Sequence, residues 1–342
     1  MDPKVHVRRP ASDRWPIAAA MLPFPDSHDR DPEVWRAQLA EVAHEGFADV
    51  DLTDSWVRIG DMDAARRAGL ADALHDAGLR GIAVSAIRCS VLDPTRWADN
   101  LAYSHRTLEA AAELGCQVVS VGLHRPLTAA QRAAFWFWTG VGPVEENSPE
   151  VWRAAVDRLR ELGRHAGELG LQLSLEMYED TLLGTSTSAV RLVEEIGLDG
   201  VGLNPDLANI FRLHRETEPF QEAVRACLPW ANYWHVKSYY RDVDPATGAH
   251  VSVPAPMSSG SMDYRRAIKE AIACGFAAPF CVEHYGGDGL TVMADNHRYV
   301  RRMIAVALGE IGPPGARASI DATRDAAALA GHPTDPSTEA RA

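Results

Sequence analysis

Eight apolar runs of strand length alternate with eight helical segments along residues 17–308, and this repeat constrains the fold more than any other feature of the sequence. The strand-like runs are residues 17–23, 48–52, 81–87, 117–123, 172–177, 200–204, 232–236 and 279–283. The helical segments are residues 32–44, 61–77, 95–114, 149–169, 188–196, 218–227, 263–274 and 293–308, and glycines that can supply left-handed C-caps follow six of them: Gly46, Gly78, Gly115, Gly170, Gly197 and Gly275. Strands separated by single helices pair in parallel through right-handed crossovers. Eight such units predict a single (β/α)8 TIM barrel, although an open doubly wound sheet fits the pattern almost as well.

A single catalytic domain over residues 15–308 is the expectation for this chain of 342 residues, because barrels of about 250 residues commonly form one domain. We expect residues 1–14 to be a flexible N-terminus and residues 309–342 to be a mobile or loosely docked tail. Two insertions, residues 125–149 and 241–260, follow the fourth and seventh strands. Both should therefore lie at the face where barrel enzymes keep their active sites. No GxGxxG motif follows the first strand, which disfavours a dinucleotide-binding fold.

Charge and hydropathy exclude two classes of partner. The net charge of -13 repels a phosphate backbone, so we expect no nucleic-acid partner. No apolar run approaches the roughly 18 residues of a membrane span, and the first residues lack the apolar core of a secretory signal. The five cysteines form no CxxC pair. A cytoplasmic protein with reduced thiols and no membrane partner is the simplest interpretation.

Four residues that commonly bind metals stand at the ends of the last four predicted strands: Glu176, Asp206, His235 and Glu283. Taken singly, each is more often a helix cap, an ion-pair partner or a satisfied polar residue. On successive barrel strands they converge, and three carboxylates held together require a compensating cation. Three oxygen ligands and one imidazole predict one divalent ion, Mn²⁺ by preference, with Mg²⁺, Co²⁺ or Zn²⁺ also compatible.

The sequence around these residues resembles that of a known superfamily. The segments SLEMYED, VGLNPDLANIF, WHVKSYYRD and GSMDYRRAIKEAIACGFAAPFCVEHYGGDG are similar to those of the xylose-isomerase-like TIM barrels. That superfamily contains sugar isomerases, ketose epimerases, inosose dehydratases and metal-dependent endonucleases. The resemblance covers about residues 15–308 and implies that Glu176, Asp206, His235 and Glu283 bind a catalytic metal ion.

Departures from the superfamily pattern reduce the number of activities within the superfamily that fit this sequence. Asn209 stands where the family often has a histidine, and the Asp-x-His that endonucleases need is absent from residues 241–260. Arg241 matches an arginine of the ketose 3-epimerases, but Leu182 replaces their acidic residue. The segments EMYEDTLLGT, LNPDLANIFRLHR, YWHVKSYYRD, VPAPM and EHYGGDGL resemble the α subunits of C-glycoside deglycosidases. That likeness implies cleavage of a 3-oxo-glycoside and a smaller β subunit as partner, and we also expect an oligomer.

All the sugar-enzyme interpretations share the removal of a proton from a carbon beside a carbonyl. Glu176 and Glu283 are candidate bases, and His124, at the end of the fourth strand, is a candidate acid or base or else a hydrogen-bonded loop residue. Lys237 shares a strand face with His235 and either holds a substrate oxygen or pairs with a carboxylate.

Three further residues are candidate substrate contacts. Arg241 either orients the sugar or lies at the surface. Trp136 and Trp138 line an aglycone pocket, line a subunit interface, or pack on the rim of the barrel.

Three functional classes remain open from the residues themselves. The first is a metal-dependent enzyme on a sugar or glycoside, with a lyase outcome by β-elimination or an isomerase or epimerase outcome by proton return. The second is a phosphoester hydrolase, which requires more metal ligands than the sequence offers. The third is a non-catalytic binding subunit, which predicts a broken ligand set, whereas all four residues are present.

Overall fold

The computed structural model describes residues 9–311. Its strands are β1 (Ile17–Ala20), β2 (Asp49–Asp51), β3 (Arg80–Ala86), β4 (Val118–Gly122), β5 (Gln172–Glu176), β6 (Val201–Asn204), β7 (Trp234–Val236), β8 (Ser238–Val243), β9 (His250–Ala255) and β10 (Phe280–Val282). Eight of them form one parallel sheet in the order β6-β5-β4-β3-β2-β1-β10-β7. A parallel bridge from Leu203 to Ala231 joins its two edges, and the amide of Asn232 donates to the carbonyl of Leu203 at 3.1 Å. The sheet therefore curls into a nearly closed barrel, as expected for a (β/α)8 fold.

Helices separate the barrel strands and cover the outside. They are α1 (Pro32–His44), α2 (Ala64–Asp76), α3 (Trp97–Glu113), α4 (Ala129–Ala133), α5 (Pro149–Glu168), α6 (Ser186–Ile196), α7 (Leu207–Phe211), α8 (Phe220–Cys227), α9 (Tyr264–Cys274) and α10 (Gly289–Ala307). Side chains of Asp31, Ser148 and Asp288 cap the N-termini of α1, α5 and α10. All six predicted C-cap glycines have positive φ, from +64° at Gly197 to +100° at Gly275. These caps explain why the sequence pattern placed the helix ends within a few residues.

Burial follows the two-sided coverage of a parallel sheet. β1 consists of Ile17 and three alanines, all buried, and β10 buries Phe280, Cys281 and Val282. Small residues in β1 leave room for the larger side chains of neighbouring strands inside the barrel. Polar residues are buried mainly toward the carboxyl ends of the strands. The fold thereby concentrates its costly buried polar groups at one mouth.

The two insertions both leave from the carboxyl ends of barrel strands, as expected. Residues 125–149 contain α4 and a 3-10 turn, Phe137–Thr139. Residues 241–260 instead continue an antiparallel hairpin, in which β8 pairs with β9 from Ser238 opposite Ala255 to Val243 opposite His250. The sequence did not reveal this hairpin. Only Lys237 separates β7 from β8, so the apolar pattern runs on without a visible break.

The expectations for the two termini fall partly outside the described residues. Residues 1–8 and 312–342 are not described, so the predictions of a flexible N-terminus and a mobile tail lie largely beyond the structure. Residues just before the barrel contact α10 and the segment that follows it: Arg301 of α10 donates to the carbonyl of Trp15 at 3.3 Å, and Ser12 donates its amide hydrogen to Glu310 Oε1 at 3.2 Å. Among the described residues, no helix has the length and apolar character needed to span a bilayer.

Candidate metal centre

The four sequence-predicted ligands lie at the carboxyl mouth of the barrel. Glu176 is the last residue of β5, Asp206 follows β6 by two residues, His235 is the middle of β7, and Glu283 follows β10 directly. All four side chains are at least 95% buried. Glu176, Asp206 and His235 each offer a ligand atom, and these atoms all lie within 4.8 Å of one another.

Glu283 lies beside this set of three. Its Oε1 is 2.7 Å from His235 Nδ1, and its Oε2 accepts a hydrogen bond from Lys237 Nζ at 2.6 Å. Asp206 occupies the N-cap position of α7 but makes no capping hydrogen bond with its side chain. The commonplace role of a strand-end aspartate as a helix cap is therefore not the role of Asp206.

Three buried atoms of the cluster make no well-aligned hydrogen bond: Glu176 Oε2, Asp206 Oδ1 and His235 Nδ1, the last although Glu283 Oε1 lies 2.7 Å away. An unpaired buried acceptor costs about 1–3 kcal/mol, and more when it is charged. One unpaired atom comes from each member of the set of three, so a single cation would satisfy all of them. The residues present thus fit a divalent ion with mainly oxygen ligands and one imidazole.

Asn209, on α7, ties two of the carboxylates together. Its Nδ2 donates to Glu176 Oε1 at 3.2 Å and to Asp206 Oδ2 at 3.0 Å, and also faces the carbonyl of Met177 at 3.1 Å. An amide donor between two carboxylates reduces their mutual repulsion and fixes their rotamers. Asn209 therefore positions Glu176 and Asp206, a role that the sequence did not suggest.

Lys237 forms ion pairs with Asp206 and with Glu283. This arrangement is the alternative to substrate binding that the sequence left open. Burial lowers the pKa of Lys237, but the two carboxylates outweigh burial and hold the pKa well above its usual value. The ammonium therefore stays charged and neutralises part of the cluster.

The two glutamates differ in acidity. Burial raises the pKa of Glu176, and the negative charges of Glu283 and Asp51 add to the rise. Burial also acts on Glu283, but Lys237 and His235 outweigh it and lower its pKa. Glu176 is thus the more basic carboxylate of the pair, and Glu283 is the one held ionised.

His124 is buried two residues beyond β4. Its ring lies 3.6 Å from the ring of Tyr178, its Nε2 is 3.6 Å from Glu176 Oε1, and neither nitrogen has a hydrogen-bond partner. Burial lowers its pKa well below the usual value, and the positive charges of Arg88 and Arg212 add to the effect. The imidazole beside Glu176 therefore stays neutral, and its lowered pKa makes it a weak base.

The three predicted substrate-binding residues have different surroundings. Trp138 lines a cavity of about 310 Å³ that also reaches His124. Trp136 stacks on Trp138 with ring centroids 5.0 Å apart. Arg241 is not brought to the cluster: its guanidinium donates to Thr217 Oγ1 at 2.7 Å and lies 3.1 Å from His250 Nδ1.

A second cavity of about 670 Å³ opens over the first barrel strands and reaches the cluster through Ser85 and Glu283. Asp54 lies in its wall, and Arg88 lines both cavities. The Asp54 side chain is 9% exposed, and its Oδ2 is 3.8 Å from Cys89 Sγ and 4.0 Å from Arg58. The sequence did not single out Asp54. Three aspartates, Asp49, Asp51 and Asp54, lie close together on one strand and the loop after it, and nothing in the sequence distinguishes one from the others.

We expect Asp54→Asn to stabilise the protein above about pH 6. Burial raises the pKa of Asp54 from 3.8 to about 6, so the folded state resists ionisation of this carboxyl. The resulting destabilisation is absent below pH 3.8, grows up to pH 6 and then stays near 3 kcal/mol. Urea unfolding at pH 4 and pH 7.5 measures it, and the gain should vanish at the lower pH.

Asp61→Asn is the matched control for this prediction. Hydrogen bonds from Arg106 and Arg58 lower the pKa of Asp61 despite partial burial, so its replacement should destabilise the protein near neutral pH. A loss of stability in Asp54→Asn at pH 7.5 would contradict the prediction.

A carboxylate that costs stability in a cavity wall is a candidate substrate contact.

The sequence of this chain matches a known protein family. The family model described as "Xylose isomerase-like TIM barrel" matches residues 39–306. The chain belongs to the xylose isomerase-like TIM barrel family. No curated protein matches the sequence. The match to the family model confirms the superfamily resemblance that the four segments indicated, and it confirms the (β/α)8 fold.

Solved structures of this family include one with substantial identity. The crystal structure of a xylose isomerase-like TIM barrel protein from Mycobacterium smegmatis, in complex with magnesium, is 40% identical, with a TM-score of 0.84 over 87% of this chain and 99% of that chain. L-ribulose 3-epimerase is 16% identical, with a TM-score of 0.63 over 94% of this chain and 100% of that one. 3-Keto-D-glucoside 4-epimerase from E. coli is 17% identical, with a TM-score of 0.60 over 84% of this chain and 100% of that one. At such identities the two epimerases show the shared fold alone.

Proposed function

We propose that this protein is a divalent-metal-dependent sugar enzyme that removes a proton from the carbon beside a carbonyl and returns it, as an isomerase or epimerase does. The observation that carries the proposal is the convergence of three unpaired, buried ligand atoms from Glu176, Asp206 and His235. The magnesium complex of the Mycobacterium smegmatis relative supports a divalent ion in this chain. The names of the two epimerases of the same fold support sugar as the substrate class.

The proposed ligands are Glu176, Asp206, His235 and Glu283. We favour Mn²⁺, with Mg²⁺, Co²⁺ and Zn²⁺ as the other ions that suit this donor set. The ion supplies Lewis-acid chemistry, which stabilises negative charge developing on a carbonyl oxygen. Lys237, paired with Asp206 and Glu283, contributes a further positive charge to the same place.

Glu176 is the base in this proposal. In the metal-free cluster, burial raises the pKa of Glu176, whereas Lys237 and His235 lower that of Glu283, and this difference favours Glu176. His124 lies 3.6 Å from Glu176 Oε1 and stays neutral, so in this proposal it donates a ring N–H hydrogen bond to a substrate oxygen on that side. Glu283, which faces His235 Nδ1 as Glu176 does, stays ionised and is the second candidate for proton transfer.

A second candidate function is C-glycoside deglycosidase, the activity implied by the resemblance of five segments to the α subunits of those enzymes. One observation favours it. The insertion at residues 125–149, here called the aromatic insertion, lines both cavities. Phe137 lies in the wall of the larger cavity and Trp138 in the wall of the smaller one, and Arg88 lines both. Two adjoining cavities suit a substrate with a sugar part and an aromatic part. Proton abstraction from a 3-oxo-glycoside would then expel the aglycone from C1, with a smaller β subunit as partner. The epimerase names support proton return rather than cleavage.

Metal removal and deuterium exchange test the proposal. We expect the protein stripped with EDTA and supplied with Mn²⁺ to incorporate deuterium beside the carbonyl of a ketose or a 3-oxo-glucoside in D₂O. NMR follows the exchange, and release of aglycone from a 3-oxo-C-glucoside would select the deglycosidase. Glu176→Gln should abolish exchange, whereas Glu168→Gln, at an exposed position at the end of α5, should not. Metal-independent exchange, or none with any substrate of the panel, would sink the proposal.

A further inference from the structure

Behind the ligand cluster, Asp51 contacts the far side of the His235 ring. Asp51 is the last residue of β2 and is fully buried. Its Oδ2 lies 3.4 Å from His235 Nε2, whereas His235 Nδ1 is on the side of Glu283 and Glu176. The two nitrogens of the ring therefore face different groups.

Three hydrogen bonds hold the Asp51 carboxylate in place. Tyr233 donates its hydroxyl to Oδ2 at 2.7 Å, Ser85 donates its hydroxyl to Oδ2 at 2.7 Å, and the Ser85 amide donates to Oδ1 at 2.9 Å. Ser85 Oγ also lies 3.2 Å from His235 Nε2. With its own hydrogen donated to Asp51, the Ser85 hydroxyl can only accept from the histidine. Both oxygens that face Nε2 thus act as acceptors, so Nε2 carries a hydrogen.

We propose that Asp51 is a positioning residue that, with Ser85 and Tyr233, holds His235 in the Nε2–H tautomer and leaves the lone pair of Nδ1 free for the metal ion. The inference rests on the proposed divalent-metal site and adds the groups that orient its imidazole. A ligand histidine commonly donates its other N–H to a carboxylate, which fixes the ring and raises its basicity.

The same residues could instead be read as a second metal site, since Asp51, His235 and Cys281 also offer ligand atoms within 4.8 Å of one another. One observation favours the positioning role: the Asp51 oxygens already accept three hydrogen bonds, from Tyr233 and from the hydroxyl and amide of Ser85.

Replacing Asp51 with asparagine should weaken metal binding about 10–100-fold, the usual effect of losing such a partner. An amide can turn its NH₂ toward Nε2, which favours the Nδ1–H tautomer and blocks the lone pair that the ion needs. Tyr233→Phe removes one of the bonds that orient Asp51 and should have a smaller effect in the same direction.

Calorimetric titration of the EDTA-stripped full-length protein with Mn²⁺ measures this change. Asp49→Asn is the matched control, because Asp49 precedes Asp51 by two residues on β2 but pairs with Arg80 at 2.6 Å. We expect the wild type and Asp49→Asn to bind one Mn²⁺ with similar affinity and Asp51→Asn to bind it at least tenfold more weakly. Equal affinity of Asp51→Asn and the wild type would overturn the positioning role while leaving the metal site standing. A wild type that binds no Mn²⁺ would overturn both.

A second measurement applies even if Asp51→Asn does not fold. The ¹⁵N NMR spectrum of histidine-labelled wild type loaded with Mg²⁺ reports the tautomer of His235. We expect the hydrogen on Nε2 and none on Nδ1, and a hydrogen on Nδ1 would overturn the inference.

Discussion

His235→Ala should lose tight binding of the divalent ion and lower metal-dependent proton exchange by at least about 1000-fold. His235 is the only nitrogen donor of the proposed ligand set, and its Nδ1 is within 3.7 Å of Glu176 Oε2 and 2.7 Å of Glu283 Oε1. Removal of the imidazole leaves three buried carboxylates facing Lys237 alone. Lewis-acid stabilisation is worth several kcal/mol, and each 1.4 kcal/mol corresponds to about tenfold in rate.

Mn²⁺ titration and deuterium exchange on the same preparations measure the two parts of this prediction. His297→Gln is the control, because it removes another buried histidine, which packs on Phe47 with ring centroids 4.8 Å apart on the outer helix α10. The control should keep the metal affinity and exchange rate of the wild type. Metal-supported exchange at the wild-type rate in His235→Ala would refute the ligand set.

The strand ends carried most of the predictable information about the site. Glu176, Asp206 and Glu283 each end or follow a short buried strand, His235 lies within one, and the repeat alone places such residues near one mouth. Glycine C-caps and helix periodicity then placed the helices closely. These signals are local in sequence, which is why one sequence taken by itself reveals them.

Residues whose partners are distant in sequence were not predictable. Asp51 and Tyr233 are 182 positions apart, and only closure of the barrel brings them together. The spacing of Arg241 from His235 left open whether this residue orients the sugar or lies at the surface. The structure places Arg241 on β8 of a hairpin, with Thr217 as a partner. Spacing along the chain does not reveal such a hairpin, because β8 begins only one residue after β7 ends.

Arg212→Met should destabilise the protein by about 3–5 kcal/mol, because it leaves the buried carboxylate of Glu179 without its cation. Arg212 is fully buried, and its guanidinium donates to both Glu179 oxygens at 3.1 Å. The guanidinium carbon also lies 4.8 Å from the ring centroid of Phe137 and 5.0 Å from that of Trp138. The ion pair therefore anchors the aromatic insertion beside the proposed site, and urea unfolding measures its contribution.

A double-mutant cycle separates the cost of the lone charge from the loss of packing. Glu179→Gln in the Arg212→Met background removes the buried charge, so the double variant should recover much of the loss, although each single variant is unstable. Arg215→Met is the control: Arg215 pairs with Asp180 at 2.7 Å, but its side chain is 53% exposed, and such pairs contribute about 0–1 kcal/mol. If Arg212→Met costs no more than Arg215→Met, the pair does not anchor the insertion. A cost that persists in the double variant would instead assign the stabilisation to the stacking of Arg212 on Phe137 and Trp138.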